Sequence, residues 1–178
     1  MTKTIKTDAA RLLDAASFAA NKHREQRRRD AEATPYINHP LEVARILADA
    51  GIEDTEVLMA AILHDTIEDT ETTAQELNER FGERVCALVL EVTDDKTLGK
   101  IERKRLQVVK APTKSADART IKLADKIANL RDLKQSPPEW DQERIGAYVH
   151  FAELVAGGCA GVSSALDAKF SQTMRDFS

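Results

Sequence analysis

The chain of 178 residues carries 42% hydrophobic and 31% charged side chains, with a formal net charge of −4 at pH 7. That length suits one domain able to bury roughly 70% of its unfolded surface, and the composition excludes a disordered chain. Two cysteines, Cys86 and Cys159, exclude a disulfide scaffold, and the longest apolar run, Val57–Leu63, is seven residues, short of the roughly 20 that cross a bilayer. The acidic balance argues against general nucleic-acid binding, and the N-terminus MTKTIKTDAA lacks an apolar signal-like stretch, so a cytoplasmic protein with reduced thiols is expected.

In chain order the periodicity is helical almost throughout. Asp8 is expected to cap a first helix on the stripe Leu12, Leu13, Ala16, Ala19, Ala20 and His23. A polar run, Arg24–Glu32, interrupts it. Asn38 is then the expected cap of a second helix with Pro40 in its first turn and Gly51 just past its end. Asp54 or Thr55 opens a third, VLMAAIL, apolar on every side and therefore buried. Thr72 with Gln75, or Thr73 with Glu76, reads as a capping box for a fourth helix ending at Gly82, and Val85, Leu88, Val89 and Val92 mark a fifth. A charged helix over Lys100–Lys110 stops at Pro112, and Ser115 to Leu133 forms a long helix on Ile121, Leu123, Ile127 and Leu130. After Pro137-Pro138 comes a helix with Ile145, Tyr148, Phe151, Ala152 and Val155 that Gly157-Gly158 should end. A last segment carries Val162, Leu166 and Phe170. The reading is one all-α domain, a compact helical bundle with its core over about 8–156 and a C-terminal helix over about 159–172.

A few residues do not suit a core. His64-Asp65 follows seven apolar residues with no cation beside it in sequence, and a carboxylate leaving a buried helix must meet a cation. An isolated His-Asp dipeptide is common and carries little by itself. Asp125 lies inside the long helix, where aspartate is a poor helix former, and a surface pair with Lys122 or Arg131 is an equal reading by spacing. His39 precedes Pro40, and Glu68 and Asp69 follow His64 and Asp65 by one turn. Together, two imidazoles and two carboxylates without thiolates suit Mn²⁺, Fe²⁺ or Zn²⁺. His64 and Asp65, adjacent in sequence, would reach one ion only at a helix end or kink. Such an ion lowers the pKa of water, and Glu68 and Asp69 would orient that water or shuttle its proton.

Four arginines fall within Arg24–Arg29, just before Tyr36-Ile37-Asn38-His39-Pro40. Arginine forks match phosphate oxygens and stack on flat bases, so Arg28 and Arg29 point to a phosphorylated substrate, while Arg24 and Arg27 read as solvated. Lys96, Lys100, Arg103, Lys104 and Arg105 read as surface, and His23 and His150 as structural.

His39, His64-Asp65 and Asp125 resemble the H…HD…D signature of the HD superfamily of metal-dependent phosphohydrolases. Arg28-Arg29 with PYINHP, HDTIEDT, EVTDDKT and KLADKIANLRDL resemble its Rel/SpoT alarmone-hydrolase branch, the small stand-alone metazoan SpoT homologue type above all. The resemblance covers the chain from about Asp8 to the final helices. It implies an all-α HD-domain bundle and Mn²⁺-dependent removal of the 3′-pyrophosphate from guanosine 3′,5′-bis(diphosphate) and its pentaphosphate relative. By position it makes His39, His64, Asp65 and Asp125 ligands of one ion, and Glu68 and Asp69 the pair that positions water. Arg28 becomes a base contact, Asn129 a ribose or base contact, and Tyr148 and Arg144 neighbours of the substrate phosphates. Arg29 stands where the family has lysine, and Ala33 where it commonly has glycine. Long relatives continue into a synthetase domain for which Ser178 leaves no room, which implies hydrolysis only. The partner implied is a small guanine nucleotide, with neither nucleic acid nor membrane, and the oligomeric state stays open. The alternatives are a phosphatase of another nucleotide such as NADPH, which would release orthophosphate, and a nucleotide-binding regulator without turnover.

Overall fold

A computed structural model describes residues 7–177, with ten α-helices, two 3₁₀ turns and no strand in that range. The N-terminal residues read above for a signal, Met1–Lys6, lie outside it. Helix α1 (Asp8–Lys22) is opened by Thr7, whose hydroxyl accepts the Ala10 N–H, so Asp8 is the first helical residue and not the cap. α2 (Asn38–Asp49) begins without a side-chain cap: Asn38 is already helical. Gly51, at φ 84°, closes α2 in the left-handed region that favours glycine. Asp54 caps α3 (Thr55–Leu63) by accepting the Glu56 and Val57 N–H groups. A single turn unmarked in sequence, α4 (Thr66–Asp69), follows at once. Thr73, and not Thr72, caps α5 (Ala74–Phe81), and Gly82 leads into α6 (Glu83–Val92). α7 (Lys100–Lys110) runs into a 3₁₀ turn at Ala111–Thr113. Ser115 caps α8 (Ala116–Gln135); α9 (Gln142–Cys159) and α10 (Ser164–Met174) complete the chain's helices.

Because α3 offers no polar face, its neighbours enclose it: α1, α2, α6 and α8 all pack on it, and α8 in turn carries α9 and α10. Val57, Met59 and Ala60 through Leu63 are buried, as is most of α8 from Ala118 to Ala128. In α1 the buried face is Ala15, Phe18 and Ala19, continued by His23, while Leu13 is 71% exposed. Of the expected stripe, Leu12, Ala16, Ala19 and His23 face the core and Leu13 turns outward, since adjacent Leu12 and Leu13 cannot share one face. Cys86 and Cys159 are free and buried. Among the described residues no helix is long and apolar enough to cross a membrane.

Gly157-Gly158 does not end α9, which runs on to Cys159. Gly158 lies against the 3₁₀ turn: a Cβ there would stand 2.7 Å from Ala111 Cβ and 3.0 Å from Pro112 Cδ. The glycine serves close approach rather than termination, and neither neighbour is a flexible chain end that could give way. Gly158→Ala is therefore expected to destabilise the fold by about 1–3 kcal/mol, the usual cost of overpacking, measured by denaturant unfolding.

Candidate active site

The buried α3 ends at Leu63, and the break before α4 lets two successive side chains face one point. His64 donates from Nδ1 to the Ala61 carbonyl at 2.7 Å, leaving Nε2 as its lone-pair nitrogen. That Nε2 is buried without a hydrogen-bond partner; Asp65 Oδ2 stands 3.1 Å away but off a hydrogen-bonding angle. His39, at the start of α2, brings Nε2 to 3.1 Å from Asp125 Oδ1 and 3.9 Å from Asp65 Oδ2. Asp125 comes from mid-α8 and is buried. One ligand atom each from His39, His64 and Asp125 lies within 4.8 Å of the others. An unpartnered ring nitrogen facing carboxylates is what a divalent cation would satisfy, so the donor set fits such an ion.

The charges agree. Burial disfavours ionised His64, but the Asp65 and Asp125 carboxylates outweigh it and lift its pKa to about 9. Burial likewise opposes ionised Asp65 and Asp125. For Asp65 the His64 and His39 rings prevail, and for Asp125 first Lys126 and then His39, holding both carboxyls below the ordinary range. Lys126, not the expected Lys122 or Arg131, is the cation of Asp125, at 3.0 Å, and Asn129 Nδ2 donates to the same carboxylate at 2.6 Å.

Glu68 and Asp69 sit on α4. Glu68 accepts the Asp94 N–H at 3.0 Å and has Arg103 at 3.7 Å; burial pushes its carboxyl up. Asp69 is ion-paired to Lys96. Tyr36 joins the two centres: its hydroxyl is 2.6 Å from Asp65 Oδ2 and 3.3 Å from Asp69 Oδ2. Burial and Asp65 push that phenol upward, so it stays a donor.

Beside the cluster opens a cleft of about 340 Å³. Arg28, Arg29, Asn129, Tyr148 and Asp69 line it. Arg28 is held between Asn129 Oδ1 at 2.9 Å and Asp132 Oδ2 at 2.7 Å. Arg144 does not line the cleft; it stacks on Trp140, which does. Arg27, read as solvated, borders the cleft while its guanidinium binds the Arg24 and Gln26 carbonyls. Four contributors escaped the sequence reading: Tyr36, Asp132, Lys96 and Arg103. The last two read as surface cations, and only the fold brings them to Asp69 and Glu68.

The arginine loop turns on Ala33, at φ 50° the one non-glycine residue in the described range with positive φ. This accounts for the glycine common there in the resembled family. Ala33→Gly is expected to be neutral or to stabilise by up to about 1 kcal/mol, because relief of left-handed strain slightly exceeds glycine's entropic cost. Thermal unfolding reads it as a rise of zero to roughly 4 °C.

Comparison with known proteins gives a consistent result. An HD domain family model matches residues 15–153. A guanosine-3′,5′-bis(diphosphate) 3′-pyrophosphohydrolase MESH1 of Homo sapiens is 56% identical over 163 residues, 90% of this chain and 91% of that protein. Its counterpart from Xenopus tropicalis is 55% identical over 172 residues, 96% of each. A solved metazoan ortholog of SpoT, described as hydrolysing ppGpp, superposes with a TM-score of 0.92 at 45% identity over 98% of both chains. The order His39, His64-Asp65, Asp125, the helical frame and these likenesses agree: the chain belongs to the HD-domain family, in its group of metazoan SpoT-like MESH1 proteins.

Proposed function

We propose that this chain is a divalent-metal-dependent guanosine-3′,5′-bis(diphosphate) 3′-pyrophosphohydrolase, releasing GDP or GTP and pyrophosphate from ppGpp or pppGpp. The observation that carries the reading is the convergence of His39, His64, Asp65 and Asp125 beside a cleft edged by Arg28 and Arg29. These four side chains would hold the ion; two imidazoles and two carboxylates suit Mn²⁺, Fe²⁺ or Zn²⁺, and the family resemblance favours Mn²⁺. When bound, the ion supplies Lewis-acid polarisation and lowers the pKa of water.

The remaining roles belong to the chain. A water oxygen bonds to the phosphorus of the 3′-pyrophosphate, the bond from that phosphorus to ribose O3′ breaks, and O3′ gains a proton. Glu68 and Asp69 orient the water and take its proton, and burial raises Glu68, which suits it to that task. Tyr36 fixes Asp65 against Asp69 by its hydroxyl. Arg28, pre-set by Asn129 and Asp132, offers its flat face to the base, and Asn129 meets ribose or base. Arg29 and Tyr148, on the cleft wall, face the phosphates, while Arg144 stands behind that wall on Trp140.

Incubation with guanosine 3′,5′-bis(diphosphate) and Mn²⁺, with and without chelator, tests the proposal. Metal-dependent GDP and pyrophosphate are expected. Orthophosphate as the product, turnover that survives chelation, or no turnover would overturn it.

A further inference from the structure

Asp69 rides on α4, a single turn that cannot hold its own shape: a first helical turn fixes several residues for one hydrogen bond, and its last carbonyls have no partner within the helix. Thr70 takes the Thr66 carbonyl, through its N–H at 3.1 Å and its hydroxyl at 2.6 Å. The Asp69 carbonyl is met from 43 residues back in the chain, where Gln26 donates to it from Nε2 at 3.0 Å. Gln26 belongs to the polar run just beyond α1, and its main chain is bound too. Its N–H donates to the His23 carbonyl at 2.9 Å, and its carbonyl accepts the Tyr36 N–H at 3.1 Å. Tyr36 then returns to Asp69, its hydroxyl 3.3 Å from Oδ2. Gln26, Asp69 and Tyr36 thus close a ring of hydrogen bonds around the end of α4.

His23 buttresses that ring. Because Nε2 of Gln26 is engaged by the Asp69 carbonyl, Oε1 is the atom turned to the imidazole, and His23 Nδ1 donates to it. The same imidazole stacks on Tyr36, with centroids 4.9 Å apart and planes 33° from parallel. It is buried, and its Nε2 has no hydrogen-bond partner, so the polar hold on the ring goes to Gln26. On the other oxygen of Asp69 the partner is Lys96, whose exposed ammonium restrains it only weakly. The firm constraints on Asp69 therefore come from Gln26, and from Tyr36, whose main chain Gln26 also holds.

Resting on the hydrolase reading, we propose that Gln26, locked by His23, is a positioning residue that aims the Asp69 carboxylate at the attacking water. It acts through Asp69 and not on the substrate. Misplacing a reacting group by about 1 Å can cost on the order of 10²-fold in rate, so this ring of bonds carries kinetic weight. Arg28, two residues further on, is held separately by Asn129 and Asp132, so nucleotide binding does not depend on the Gln26 side chain.

Gln26→Met keeps the length of the side chain and removes both of its hydrogen bonds. In the metal-loaded protein kcat for guanosine 3′,5′-bis(diphosphate) is expected to fall about 10–100-fold, with KM within about threefold and metal content unchanged. The decisive comparison repeats the substitution in Asp69→Asn. A residue that acts through Asp69 has little left to lose there, so the further loss is expected to stay within about twofold, whereas a purely structural role costs the same in both backgrounds. No loss in the parent, or an equal loss in the two backgrounds, would overturn the proposal. Gln26→Glu, which removes only the donor, gives the same comparison if Gln26→Met does not fold. If the parent hydrolyses nothing, the hydrolase reading fails, and amide hydrogen exchange then decides whether Gln26 anchors Asp69. Freeing the end of α4 is expected to speed exchange of the Thr70 N–H about 2–10-fold, the worth of one neutral hydrogen bond, and unchanged exchange refutes the anchor.

Discussion

Glu68→Gln and Asp69→Asn are each expected to lower turnover roughly 10²–10⁴-fold, the usual worth of a positioned acid–base group, with metal content unchanged. The substitutions isolate charge from shape. A glutamine oxygen at 68 can still accept the Asp94 N–H, and an asparagine oxygen at 69 can still accept the Tyr36 hydroxyl. What Asp69→Asn loses structurally is the pair with the exposed Lys96, and exposed pairs contribute about 0–1 kcal/mol. The fold should therefore survive, and substrate affinity should hold or rise slightly, since an anion near phosphates is neutralised. Were the two acids merely solvated, turnover would stay within about twofold of the parent. Metal content and turnover measured on the same preparations decide, and parent-like turnover with full metal would remove both residues from the mechanism.

Asp125→Ala is expected to abolish metal retention and turnover together. It also strands Lys126, a buried ammonium whose carboxylate partner is Asp125 at 3.0 Å. Breaking a buried pair from one side costs about 3–5 kcal/mol, so the variant should also unfold at lower denaturant. Asp125→Asn separates the effects in part, because its one side-chain oxygen can still accept from Lys126 while its charge is gone. Metal analysis of the folded protein is the decisive measurement. A full metal complement in Asp125→Ala would show that Asp125 is not a ligand.

The legible parts of this molecule are those where one residue contradicts its local pattern. Asp65 after seven apolar residues demanded a cation, and Asp125 in mid-helix demanded a reason; both stand at the cluster. α3 was legible because a helix apolar all round has only one place to go. The misreadings share a different cause. Lys126 adjoins Asp125, and neighbours one residue apart do not face each other on an ideal helix, yet the long lysine stem swings back. Lys96 reaches Asp69 across 27 residues, which no local pattern encodes. Gly157-Gly158 carries the signature of a helix end, but the 3₁₀ turn that needs the missing Cβ lies far back in the chain.

The ligand cluster also fastens the chain to itself. His39 belongs to α2, His64 and Asp65 to the α3–α4 break, and Asp125 to α8, 86 residues beyond His39. An ion held there is a cross-brace between the first half of the chain and its longest helix, and unfolding must release it. Resistance to heat then becomes a reading of the free ion concentration: at about 100 times Kd the brace adds about 2.7 kcal/mol, and a chelator takes the same amount away.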